Sequence, residues 1–366
     1  MQEKSYYEYD AISSSQVKDW GWMTPRQWKE TYIDRVGEKE GKLHFNQGSY
    51  LDCLMLNPNE VENNFFIGNI DLSISDTIQR IVVNVHKKLL SLYKDQACLI
   101  DLSDLEDEST NKIVLECAGY ENYGKGSYKE ERILREIKCK GACDYFQYLC
   151  DAEGRVVISM EDHMNALNKK NALLDDEKTI PYFVKQEGEL LFHHLQLFID
   201  DVGLKRKCEL DILRIVPSQR IVYVTDLKTS HSSFAFLDNV RKYSYATQIS
   251  YYKDMLIKYI TMGGLCNQEL ILPDDVLQYT FVCQNVVIDD REKIPYIYRY
   301  RDIDLDYYRF GSDFIEDGQM YVRHRTGWEN DLNTIRKHLS LNQWNYPLSH
   351  IQNGFLTLNL LGGYVE

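Results

Sequence analysis

Asp211 and the run Asp226-Leu227-Lys228 place two acids and a lysine on stretches that alternate apolar and polar residues. Lys207-Cys-Glu-Leu-Asp211 and Ile221-Val-Tyr-Val-Thr-Asp-Leu-Lys-Thr229 read as two short strands joined at Pro217-Ser-Gln-Arg220. Side chains alternate along a strand, so Asp226 and Lys228 share a face with Val222 and Val224, while Thr225 and Leu227 take the other. A hairpin loop of even length at 217–220 pairs residue 211 with residue 226, their Cβ atoms roughly 5 Å apart. Carboxylates that close repel and lose hydration unless they share a cation or a proton. A hard divalent metal, Mg²⁺ or Mn²⁺, answers the need and would polarise a phosphodiester held beside it. Lys228 then orients the attacking water or steadies the charge growing on the phosphate. A lone D-x-K is in most chains an ordinary salt bridge at a strand end, so the chemistry needs more context.

Twenty residues on, Asn239 to Leu256 has the composition of a helix, with Gln248 and Tyr252 at i, i+4 on one face. An amide and a phenol aimed at a metal site bind a nucleic-acid backbone or fix a ligand. The order Asp211, Asp226-Leu-Lys228-Thr, Gln248-x-x-x-Tyr252 resembles the PD-(D/E)xK nuclease superfamily. Within its RecB-like branch the chain is most similar to the phage and prophage exodeoxyribonuclease VIII (RecE-like) group. The N-terminal stretch fits the same family: a serine run at 13–15, then Thr24-Pro25-Arg-Gln-Trp28, where Thr24 caps a helix and Pro25 opens it.

The resemblance implies an α/β fold with a restriction-endonuclease-like core, a central mixed β-sheet flanked by helices. It implies a metal-dependent deoxyribonuclease, an exonuclease resecting duplex DNA ends for phage-type recombination. Its partners would be DNA and a single-strand annealing protein, and it would be a homo-oligomer in the cytoplasm of the bacterial host. Asp211, Asp226 and Lys228 would be catalytic, the two acids holding Mg²⁺ or Mn²⁺; Lys207, Gln248 and Tyr252 would position DNA or ligand. Relatives carry a metal-binding histidine in Gly-x-x-x-His, whereas four residues past Gly48 this chain has Asp52. Aspartate is a harder ligand that still suits Mg²⁺, so Asp52 stands in the histidine's post. The alternative is a catalytically inactive nuclease-fold protein with a nucleic-acid-binding or structural role. Glu187 and Glu189 precede the first catalytic strand, where relatives place a glutamate, and are second-tier candidates beside the reading as surface carboxylates.

The elements that must position these residues span most of the chain. Its 366 residues, 44% apolar, are read as one domain, with 70–180 as a more variable helical and loop insertion. Within that insertion 77–93 is an amphipathic helix, 125–138 suits short strands and a turn, and Ser159 with Asp162 opens another helix. Residues 279–288 and 296–301 read as a strand hairpin, and from 304 the pattern is helical to 339. No apolar stretch reads as a membrane span or a signal peptide, so a soluble, cytosolic protein is expected. Nine scattered cysteines fit reduced thiols. Cys139, Cys143 and Cys150 do not match the iron-sulfur arrangement of some RecB-like relatives, whose cluster cysteines bracket the core; the last cysteine here is Cys283. A formal charge of -14 opposes DNA binding at long range. Local patches at 205–207, 241–242 and 169–170 are the candidates to offset it.

Overall fold

A computed structural model of the protein describes residues 6, 9–36, 43–68, 74–103, 108–121, 129–232, 234–315, 322–354, 358–359 and 363–364. The chain divides into two compact units, one of residues 1–41 with 171–366, the other of residues 42–170. The sequence reading had one domain with a variable segment at 70–180; the second unit begins earlier, so Asp52 falls inside it.

The larger unit is built on a six-stranded mixed sheet. Its strands are β1 (Leu190–Asp201), β2 (Leu204–Val216), β3 (Ile221–Ser230), β4 (Leu265–Cys266), β5 (Thr280–Asp289) and β6 (Pro295–Arg299). They lie in the order β4-β1-β2-β3-β5-β6. β1, β2 and β3 form an antiparallel meander, β5 runs parallel to β3, and β6 returns antiparallel to β5. A parallel neighbour demands a crossover, supplied by the helices Phe236–Tyr243 and Tyr245–Met262. The turn between β2 and β3 is a 3₁₀ turn at Pro217–Gln219 closed by Arg220 at φ 55°. Its four residues set the register Ile212↔Thr225 and Val216↔Ile221, which carried one step further places Asp211 opposite Asp226, as the hairpin length predicts.

Among the described residues seven α-helices belong to this unit: α1 (Ser14–Trp20), α2 (Pro25–Tyr32), α3 (Phe236–Tyr243), α4 (Tyr245–Met262), α5 (Asp302–Phe310), α6 (Trp328–Leu341) and α7 (Leu348–Asn353). Thr24 caps α2 by accepting from the Gln27 amide, with Pro25 at the first helical position. The expected single helix over 239–256 is broken at Ser244, φ 52°, so α3 and α4 meet at a corner. The expected helix from 304 to 339 is interrupted by an antiparallel hairpin, Gly311–Ile315 with Val322–Thr326.

The core alternation changes phase in mid-strand. On β2 the core takes Leu204, Cys208 and Leu210, then Leu213 and Ile215; on β1 it takes Leu195, Leu197 and Ile199, but on the N-terminal side Leu190 and Phe192. The change falls at His194 (φ 48°) and Asp211, a cross-strand pair at which the β1–β2 ladder is interrupted although its register is the same on both sides. A local break of this kind re-aims one side chain without shifting the rest.

Beneath α4 lies a buried charged network. Arg206, 1% exposed, pairs through Nη1 with Asp201 and Asp254 at 2.9 Å each, and its guanidinium lies 4.5 Å from the Tyr251 ring centroid. Lys258 and Arg309 complete the neutralisation of the two acids.

In the smaller unit, helices Asp76–Tyr93, Glu108–Tyr120, Lys129–Ile137 and Lys140–Asp151 enclose an apolar cluster. The expected strands within 125–138 are replaced over the described residues by the helix Lys129–Ile137, whose Ile133 and Ile137 are buried one turn apart. Ser159 caps the helix Met160–Asp175, its Oγ accepting from the Asp162 amide at 3.0 Å. Among the described residues no helix is long and apolar enough to cross a membrane.

Candidate active site

Asp226, on the interior strand β3, is 1% exposed. Its Oδ1 accepts from Lys228 Nζ (2.8 Å) and Gln248 Nε2 (3.0 Å). Its Oδ2 accepts from Asn285 Nδ2 (2.7 Å) and lies 2.7 Å from the same Lys228 ammonium. The i, i+4 spacing on α4 holds, since Gln248 Nε2 also donates to the Tyr252 hydroxyl at 2.8 Å. Asp211 Oδ2 accepts from the Leu227 amide at 2.9 Å, which fixes its carboxylate at the neighbouring strand.

Asp211 and Asp226 set the charge states of the groups around them. Burial opposes the ammonium of Lys228, but the carboxylates of Asp226 and then Asp211 outweigh it and hold its pKa above the ordinary 10.5. Burial, reinforced by Asp211 and Asp226, pushes the Tyr252 phenol well above its usual range. At neutral pH Lys228 is therefore a cation and Tyr252 a neutral hydroxyl.

Two participants escaped the sequence reading. Asn285 sits on β5 directly beside Asp226 in the parallel register, and the Tyr300 hydroxyl donates to its Oδ1. A polar residue inside the run Val282–Ile288 was the available signal, since a buried amide needs partners. His194, the second, marks the break that turns Asp211 toward α4. Its Nδ1 contacts Glu209 Oε1 at 3.2 Å, and Glu209 also accepts from Gln196 at 2.6 Å. Glu209 precedes the change of phase, so despite its i, i+2 spacing it does not share the face of Asp211.

The remaining candidates of the larger unit lie outside this group. Lys207 is buried, its ammonium donating to the backbone carbonyls of Tyr6 (2.9 Å) and Tyr9 (2.7 Å), and so anchors the N-terminal segment. Glu189 forms a two-pronged pair with Arg214 at 2.6 and 2.7 Å, under the rings of Tyr182 and Tyr223. Glu187 is exposed in the turn ahead of β1. Asp52 is half-buried on the helix Leu43–Leu56 of the smaller unit. Of the three basic patches, 205–207 keeps only Lys205 exposed and 169–170 only a half-buried Lys170, because Arg206, Lys207 and Lys169 are buried. Arg241 and Lys242 are exposed on α3, with Leu237 and Tyr243 exposed on the same helix and Phe234 just ahead of it. Stacked rings link that helix to the site: Tyr243 lies 5.6 Å from Tyr245, whose ring is 5.3 Å from Lys228 Nζ.

Comparison with protein-family models and with curated proteins gives no match to this chain.

Proposed function

We propose that the protein is a metal-dependent deoxyribonuclease of the PD-(D/E)xK type, acting on the ends of duplex DNA. The observation that carries the reading is the convergence of Asp211, Asp226 and Lys228 at adjacent strands under Gln248 and Tyr252. An antiparallel meander followed by a helical crossover and a parallel strand supports a restriction-endonuclease-like core. The donor set is all oxygen and hard, so it fits Mg²⁺ or Mn²⁺, held by Asp211 and Asp226. Such an ion supplies polarisation of the phosphate and a more acidic water.

The chain's own groups do the rest. Lys228, whose ammonium lies 2.8 Å from Asp226 Oδ1, is placed to donate to a phosphate oxygen held beside that acid. Gln248, tethered to Tyr252, orients the acid or the DNA backbone. Exposed Arg241 and Lys242, interleaved with Phe234, Leu237 and Tyr243, offer phosphate contacts and stacking. The reading uses residues of the larger unit alone.

One observation favours a second reading, a catalytically inactive nuclease-fold binding or structural protein: both oxygens of Asp226 already accept from Lys228, Gln248 or Asn285. The deciding experiment incubates linear and circular duplex with Mg²⁺ or Mn²⁺, wild type beside Asp226→Ala. Degradation of the linear form alone, lost in the variant, supports an end-dependent nuclease. Cleavage that persists in the variant excludes this site. Duplex binding without cleavage by the wild type supports the second reading.

A further inference from the structure

We propose that the smaller unit holds a transition-metal ion, Zn²⁺ by its donor chemistry, between His86, Cys98 and Cys150. A ring nitrogen of His86 and the two sulfurs lie within 4.8 Å of one another. They come from three separate pieces of the unit: the helix Asp76–Tyr93, the 3₁₀ segment Lys94–Leu99 and the helix Lys140–Asp151. The spacing in sequence matches no familiar ligand motif, which is why only the fold assembles the set.

A second observation points to a ligand. His86 is 7% exposed, and its Nε2 has no hydrogen-bond partner among the described residues. A buried polar nitrogen without a partner bears an uncompensated loss of hydration, which a coordinated group relieves. The surroundings are apolar: Phe146 meets the imidazole edge-on at 5.5 Å, and Ile81, Val82 and Val85 share the cluster. One imidazole and two thiolates around a divalent ion sum to zero charge, the form in which an ion is tolerated there. Imidazole and thiolate suit Zn²⁺ and exclude Mg²⁺, so this site is chemically distinct from the acid pair of the larger unit.

Ligand atoms around tetrahedral zinc stand about 3.7 Å apart, so closure asks for a contraction of about 1 Å at most. Cys98, the half-buried member, is the ligand that moves. On binding, each thiol loses its proton to solvent and the sulfur lone pair forms the bond to the metal; no oxidant is involved. Three protein donors leave one coordination position, filled by water.

The test uses the full chain purified under reducing conditions. Elemental analysis is expected to find about one Zn²⁺ per chain, and the metal-stripped protein titrated with Co²⁺ is expected to develop thiolate charge-transfer and tetrahedral d–d bands. Cys98→Ser and His86→Gln should weaken Co²⁺ binding by more than the roughly 10–100-fold that loss of an outer partner costs. Cys143→Ser, on the same helix as Cys150 but outside the triad, should leave it unchanged. Circular dichroism checks that each variant is folded; Cys98→Ser, at the least buried ligand, keeps the test open if His86→Gln is not. The proposal is overturned if reduced wild type binds neither ion in excess, if Cys98→Ser binds as well as wild type, or if peptide mapping finds a Cys98–Cys150 disulfide and reduction yields no metal binding.

Discussion

Replacing Asp226 with asparagine removes a charge and almost no volume from the most enclosed group of the acid site. The carboxylate accepts from Lys228, Gln248 and Asn285. An asparagine keeps one acceptor and turns the other into an NH₂ that faces donors. Breaking a buried ion pair from one side costs about 3–5 kcal/mol. The Lys228 side chain keeps 20% exposure, so water reaches its ammonium, and loss of the repulsion with Asp211 returns part of the cost. The expected destabilisation is about 2 kcal/mol, below the range for a fully enclosed pair. Adding Lys228→Met should recover much of it, with a coupling of about 1–3 kcal/mol in the double-mutant cycle. All five tryptophans, at 20, 22, 28, 328 and 344, belong to the larger unit, so tryptophan fluorescence in urea follows the unfolding of the unit that carries the site. In metal-free buffer at neutral pH, a coupling under about 0.5 kcal/mol refutes the pairing argument. With Mg²⁺ at about 100 times its dissociation constant, wild type should gain about 2.7 kcal/mol and Asp226→Asn none; equal gains refute the metal assignment.

Tyr252→Phe removes the acceptor that tethers Gln248; a loss of about 1 kcal/mol in urea unfolding and a fall in nuclease rate are expected, and unchanged values in both would show the tether idle. Arg206→Met strips the shared cation from Asp201 and Asp254, so a loss of about 3–5 kcal/mol is expected at neutral pH, read by the same fluorescence. Burial raises the Asp201 pKa, but Lys258 and Arg206 outweigh it and the net value lies below the ordinary 3.8. Its contribution is thus present above pH 3.8 and lost as pH falls through the lower folded value, so Asp201→Asn should flatten the decline of stability in that acid range. At Gly264 an added Cβ would collide with the Phe198 carbonyl and crowd Ile199 and Tyr259, so Gly264→Ala should cost about 1–3 kcal/mol and speed amide exchange along β4.

The parts of this protein legible in its sequence are those governed by short-range geometry. Residues 217–220 fix the β2–β3 register because a hairpin loop leaves little choice, and that register, carried one step beyond Ile212↔Thr225, sets Asp211 opposite Asp226. Gln248 and Tyr252 meet because a helix brings i and i+4 together, and the caps at Thr24 and Ser159 are satisfied within one turn. Tertiary structure alone decided the rest. Strict alternation puts Glu209 and Asp211 on one face, and only the break opposite His194 separates them. Lys207 and Arg206 look like a surface patch until the N-terminal segment and α4 close over them. Asn285 reaches Asp226 across the crossover of residues 231–279, and His86, Cys98 and Cys150 meet only when their helical segments pack. The physical division is one of range: backbone sterics and hydrogen-bond periodicity act over a few residues and leave a trace in spacing, whereas burial depends on which distant segment arrives, and that no local pattern encodes.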